Sequence, residues 1–455
     1  MILFVTFCLV YLVRFKTYPQ TKLKPNTNYT ISGVISSEPL ISDVSQTLKL
    51  GDFRIKTAKL PNYVIGDRLK ISGRLEERVI NRFYSKFWFI YPEIEVRPKK
   101  RNESYGAGDM WLNFLKIIAS LRARCDDYFS RGLPSPQANL LSGILLGSKT
   151  SFSPQFYESL RQSGTLHIVV ASGMNIVILA KIIFDFLIKK FKRNVTIFVI
   201  FFCILIYMAL AGFDPPIVRA AIMAFLAFLA QFLGRAYWGG FGLFLAAGIM
   251  LLANPFLLFE VGFQLSVVAT AGLIFVGPRV KGWIEGALQK FQQGQTLPTA
   301  RSDPALAGRI LNFFKNDFVE TVSAQIAVLP ILLSTFGQFN LLSIVPNVLI
   351  GFLVPGLMRY GLLYLLIAFV VFPLARLAGF FLWVPLSYMV EIIKLFGKID
   401  WLVLRLSLPW WWAFLWWAGL WLVLAKNRGK AENGEREERI CLIGPIDLIG
   451  QIRPI

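Results

Sequence analysis

The feature that most limits what this chain can fold into is the run 166–188, composed mostly of Ile, Val, Leu, Phe and Ala. At about 1.5 Å of rise per residue, a helix of that length crosses a hydrocarbon core of roughly 30 Å, where all backbone polar groups must be satisfied internally. Comparable runs recur at 195–211, 216–233, 239–252, 261–276, 318–336, 377–396 and 410–425, with a proline-interrupted piece at 341–372 and a shorter run at 1–13. The pattern predicts a polytopic α-helical membrane protein with about ten crossings. Residues 1–13 carry no basic residue ahead of the apolar run, so they fit a membrane anchor better than a signal peptide. The polytopic domain is expected over 137–425.

Charge orients the expectation. Lys and Arg total 48 against 27 Asp and Glu. Basic clusters fall at Lys189, Lys190, Lys192 and Arg193, at Arg235, in a long polar loop 279–315, and in a charged tail 426–455. With these on the cytoplasmic side, the alternation puts the N-terminal segment 26–97 outside. Four scattered cysteines with no close pair point to neither a disulfide framework nor a zinc site.

Segment 26–97 changes character to short alternating runs at 29–35, 53–56, 68–75, 87–91 and 93–96. Five short strands, with Gly33 and Gly73 as bulge or corner candidates, predict a small all-β, OB-like extracytoplasmic domain. Arg54, Lys56, Arg68, Lys70, Arg74 and Trp88 supply the cations and the aromatic face that a single-stranded nucleic-acid site uses for phosphates and base stacking. An ordinary basic surface over core aromatics would read the same way. A basic linker follows at 97–101, and residues 109–131 have the apolar spacing of an amphipathic interfacial helix.

Polar residues inside apolar spans cost free energy and are functional suspects. The only histidine, His167, shares one helical stripe with Asn175, and Ser172 lies between them. Gly164 and Gly173 in the same stretch permit close helix packing. Further on come Arg219, Gln264, Ser266, Gln325 and Asn347, together with Glu260 and Glu320. Pro346, Gly351, Pro355 and Gly356 predict broken helix backbone, tolerated in a bilayer only where protein or a water-filled cavity covers it. Taken together these groups suggest a polar path, although each alone fits a packing role.

Two catalytic readings fail. Ser172 and His167 are five residues apart, about 140° around a helix axis, which is poor for a nucleophile and its base. One histidine without a cysteine cluster leaves too few ligands for a metal. The segment Gly143-Ile-Leu-Leu-Gly147-Ser-Lys149-Thr150 imitates a phosphate loop, but Ser148 separates the glycine from the lysine. No cofactor is expected. An intramembrane serine hydrolase using Ser172 and a lipid or small-solute transporter stand as alternatives.

Several segments taken in order carry a resemblance. They are Leu145-Leu-Gly-Ser-Lys149, Ser163-Gly-Thr-Leu-His167 through Ala171-Ser172-Gly173-Met-Asn175, Pro216-Ile-Val-Arg219 through Met223, Asn254-Pro255 with Gly262-Phe-Gln264-Leu-Ser266 through Thr270, and Ser323-Ala-Gln325 through Pro330 with Phe336-Gly337 and Pro346-Asn347. Over roughly residues 110–400 the chain resembles the ComEC competence-protein family of bacterial DNA-uptake channels. That resemblance implies a non-enzymatic channel passing one DNA strand across the cytoplasmic membrane during natural transformation. It implies a cytosolic helicase-like ATPase and an extracytoplasmic DNA receptor as partners, with a homo-oligomer also possible. Two departures stand out: Asn175 replaces the family's usual second histidine, and no metallo-β-lactamase-like domain follows, so any nuclease would be a separate protein.

Overall fold

The computed structural model describes residues 2–426 apart from 18–23, 25, 36–38, 42–44, 52, 62, 82–83, 97–106, 149–151, 170–172, 294–303 and 400–402. The charged tail therefore lies outside the described residues. The chain opens with α1 (Ile2–Thr17) and continues into a seven-stranded sheet. Its strands are β1 (Asn28–Val34), β2 (Leu40–Ile41), β3 (Ser45–Leu50), β4 (Phe53–Ala58), β5 (Arg68–Asn81), β6 (Tyr84–Ile90) and β7 (Glu93–Val96).

β5 organises this sheet because it is long enough to serve three neighbours. Its first half pairs antiparallel with β1 and β7, its second half pairs antiparallel with β6, and β6 runs parallel to β4. Ile35, Leu48, Leu50, Ile55, Leu69, Ile71, Leu75 and Phe89 form the fully buried inner face. The period of two sends Arg54, Lys56, Arg68, Lys70, Arg74 and Trp88 to the opposite face. Two expectations change. Seven strands replace five, because β2 and β3 were not anticipated. Gly33 and Gly73 are close-approach positions rather than bulges: a Cβ on Gly33 would lie 3.0 Å from Leu50 and one on Gly73 would lie 2.9 Å from Pro92. The register shift falls at Val79/Asn81 instead.

The remainder is helical. α2 (Ala107–Gly132), α3 (Gln137–Leu146) and α4 (Pro154–Gln162) precede α5 (Leu166–Val169) and α6 (Gly173–Leu187), which together make one candidate span, Leu166–Leu187. Then come α7 (Arg193–Leu210), α8 (Pro215–Phe232), α9 (Gly239–Ala253), α10 (Val261–Phe275), α11 (Gly277–Gln293), α12 (Pro304–Phe336), α13 (Ile344–Gly351), α14 (Val354–Val370), α15 (Phe372–Gly397) and α16 (Trp412–Lys426). A two-stranded ribbon of β8 (Gln338–Asn340) and β9 (Val403–Arg405) closes one end.

Among the described residues five helices are long and apolar enough to cross a membrane, or up to seven if two pairs bent by 46° each make one span. That is fewer than the ten crossings drawn from hydropathy. Helices of 15 or 16 residues such as α1, α9 and α16 rise only about 22–24 Å, short of a roughly 30 Å core. The expected polar loop 279–315 is largely helical where described, as α11 and the first turns of α12. α2 buries Leu115, Ile118, Cys125 and Phe129 while exposing Met110, Trp111 and Ile117, the two-faced character expected of an interfacial helix. Phe198, Val370 and Phe381 on α7, α14 and α15 are also exposed, an apolar outer surface suited to lipid rather than water.

The main core gathers α2 to α5 around α13 to α15, with Phe129, Leu140, Leu141, Tyr364, Leu386 and Met389 at its centre. α12 carries Pro330 in its interior. Proline has no N–H to offer the carbonyl four residues back, which is that of Ile326. The Trp416 indole of α16 donates to that carbonyl at 3.0 Å, and the Trp417 indole donates to Ala327 O at 3.0 Å.

Candidate functional site

The failed phosphate loop has a purely structural explanation. Gly147 sits in the left-handed region (φ +70°) as the C-cap of α3, with its N–H on Gly143 O, a role that favours glycine for want of a Cβ. Lys149 lies outside the described residues, as does Ser172.

Around the opening stretch two polar clusters form. The first centres on Arg219, one turn into α8, where Pro215 and Pro216 start the helix. Its guanidinium is buried, donates through Nε to Ser266 Oγ at 2.8 Å, and also bonds Thr270, both on α10. Gly173 brings α6 onto this group: a Cβ there would lie 3.0 Å from Ala220 and 3.3 Å from Arg219 Nη2. Among the described residues no carboxylate pairs with Arg219. Hydroxyls satisfy the geometry of its N–H groups but leave its charge uncompensated, an expensive state for a buried cation.

The second cluster centres on Ser343, in the short 3-10 turn Leu341–Ser343 ahead of α13. Gln325 of α12 donates to Ser343 Oγ at 2.9 Å, and that hydroxyl donates to Asn340 O at 2.7 Å. Gly164, at φ +72°, lies so close that a Cβ would come within 2.5 Å of Ser343 Cβ. Only a glycine meets both demands there. His167 is three residues on and bonds the backbone at Gly164. The residue is exposed, unlike its neighbours Thr165, Ile168 and Val169, which are buried. Asn347, one turn beyond Ser343 on the same face, is buried with neither side-chain polar atom partnered among the described residues.

Asn175 and Gln264 stand apart from both clusters. Asn175 is fully buried and donates to Ile144 O at 2.8 Å, binding α6 to the end of α3. Gln264 donates to Leu258 O at 2.8 Å in the turn before α10. Thr270, which closes the Gly262-to-Thr270 segment, and Ser343 join these clusters although neither was among the candidate path residues. A hydroxyl on an apolar helix gives no signal until its partner is known.

On the outer face of the sheet, Arg54 stacks over the Trp88 ring with its guanidinium carbon 5.6 Å from the centroid. Lys70 pairs with Glu95 at 3.4 Å, and Glu76 lies directly across from Trp88. The face is thus of mixed charge, with its strongest cation and aromatic pairing at Arg54 and Trp88. Among the described residues no group of three His, Cys, Asp or Glu side chains is placed to hold a metal ion.

A helical bundle with an apolar exterior, apolar cores and a few buried hydrogen-bonding groups within its candidate spans defines the class: a multi-helix membrane protein. The chain belongs to the competence protein family, whose model matches residues 144–430, more than half of its length. It is 25% identical over 239 residues to ComE operon protein 3 of Bacillus subtilis (strain 168). That match covers 52% of this chain and 27% of the relative, so the chain accounts for about a quarter of the longer protein. No solved structure matches.

Proposed function

We propose that this protein conducts single-stranded DNA across the bacterial cytoplasmic membrane in competence. Family membership supplies the setting. The observation that carries the proposal is Arg219: a buried cation among candidate spans, held by hydroxyls and facing no carboxylate among the described residues. A phosphodiester passing along the interior is the counter-charge such a group lacks, and a guanidinium suits it by shape and charge. His167, an exposed polar group on the same candidate span as Gly173, lines the path, while Gln325 and Asn347 shape it from α12 and α13.

In this scheme the OB-like β domain stands outside and meets the strand through Arg54 and Trp88, and the tail 426–455 is cytoplasmic. Arg68, Lys70 and Arg74 add non-specific attraction along the same face. The chain supplies passage rather than chemistry. A cytosolic helicase-like ATPase drives the strand, and an extracytoplasmic receptor delivers it.

Transformation frequency in a competent host carrying this chain as its sole channel provides the test. Arg219→Ala lowers transformation by about tenfold or more, as expected for loss of about 1.4 kcal/mol along the path, and Arg219→Lys retains more than Ala. Unchanged transformation at normal membrane levels of the Ala variant overturns the proposal.

A further inference from the structure

α12 and α13 pack side by side in opposite directions. The Gln325–Ser343 hydrogen bond ties one level of the seam. At another level, Asp317 Oδ2 lies 3.6 Å from where a Cβ on Gly351 would stand. Ser343, Asn347 and Gly351 are spaced by four and share one face of α13, so Asn347 is turned toward α12 between these two levels. One turn, about 6 Å, separates it from Gly351.

This seam concentrates unpartnered polar atoms. Asp317 Oδ2, Gln325 Oε1, and both Oδ1 and Nδ2 of Asn347 are buried without a hydrogen bond among the described residues. Asn347 is only 3% exposed. Each such atom costs about 1–3 kcal/mol if nothing meets it, and three of the four are acceptors. Asp317 has no cationic partner among the described residues, and the nearby Lys315 is taken by Glu285 at 2.6 Å. Just beyond, the pair Leu341–Gly351 and Val354–Val370 bends by 46°. α13 ends at this bend, partly buried, with the negative end of its dipole at Gly351, beside Asp317. A carboxylate, an amide oxygen and the carbonyl end of a discontinuous helix are the means by which membrane proteins hold small cations.

We infer that the end of α13 is a binding site for a monovalent cation, Na⁺ in the first instance, held by the Asp317 carboxylate, the Asn347 side-chain oxygen and the terminal carbonyls of α13. One buried carboxylate calls for a single positive charge, and the oxygen donors are hard ligands suited to an alkali ion. Glu320 follows one turn after Asp317 but keeps an accessible side chain, so it attracts the ion without enclosing it.

The test needs no DNA, so its outcome is independent of strand conduction. Full-length protein in detergent is titrated with NaCl against choline chloride at constant ionic strength, following heat of binding and melting temperature. Saturable Na⁺ binding that raises the melting temperature is expected. Asp317→Asn, nearly isosteric, weakens binding at least tenfold; Asn347→Leu weakens it several-fold; Glu320→Gln changes it less than threefold. No saturable binding, equal stabilisation by choline, or Na⁺ binding unchanged by Asp317→Asn overturns the inference. So does a melting temperature that follows pH but not Na⁺, or Ca²⁺ outcompeting Na⁺ at equal concentration. Should Asp317→Asn fail to fold, the wild-type comparison of Na⁺ with choline decides alone.

Discussion

Asn175 offers a sharp test of whether a polar residue in a span serves passage or packing. α3 ends at Leu146, so the Ile144 carbonyl lies in its last turn, where helix geometry leaves carbonyls without an internal partner. Asn175 Nδ2 meets it at 2.8 Å in a fully buried setting. Asn175→Ala removes the donor and strands that carbonyl, at a cost of about 1–3 kcal/mol. Asn175→Asp keeps the shape but sets a carboxylate against the carbonyl lone pairs, and its cost exceeds that of Ala. For a chain of this size the Ala change corresponds to a drop of roughly 1–3 °C in melting temperature. Intrinsic fluorescence in detergent reads it directly, since the chain has 12 tryptophans. The expected order is wild type, Ala, Asp, with His167→Ala close to wild type because His167 is exposed. Wild-type melting of Asn175→Ala, or a His167→Ala loss as large, refutes the assignment of the two residues to different tasks.

Gly272→Ala places a Cβ 2.6 Å from Ala327 and 2.8 Å from Ser323 O, wedging α10 from α12; thermal melting should register a loss of about 1–3 kcal/mol. On the β domain, Trp88→Ala in the full-length protein should weaken single-stranded DNA binding by about 1–3 kcal/mol. Arg54→Ala should reduce the magnitude of its salt slope by about 0.7. Binding and slope unchanged in both variants would return that face to an ordinary basic surface.

Much of the architecture was legible because a bilayer imposes a crude rule: long apolar runs become helices. The run at 166–188 and the break foreseen from Pro346, Gly351 and Pro355 appear as the span Leu166–Leu187 and the bend after Gly351. Pro355 lies in the first turn of α14, where its missing N–H costs nothing. β3 escaped notice because its inward positions include Gln46, which is 1% exposed and donates to the carbonyls of Ala58, Lys59 and Pro61. An inward glutamine breaks the apolar alternation by which strands are recognised. Asp317 was hidden differently: it precedes the apolar run at 318–336 and so reads as a loop residue, whereas α12 begins at Pro304. The pairing of Arg219 with Ser266 and Thr270 is a contact 47 and 51 residues distant in the chain, and no local pattern encodes it.

The tryptophan pair on α16 bears on how this molecule is put together during synthesis. Pro330 gives α12 a joint, and the loose carbonyl at that joint finds its donor in a residue made some ninety positions later. Until Trp416 arrives, α12 is a jointed rod exposing an unmet oxygen to lipid, a state that hydrocarbon penalises. α16 is a splint applied last. A nascent chain interrupted before it would keep its earlier helices but lack a stiff α12, the rod on which Asp317 and Gln325 are mounted.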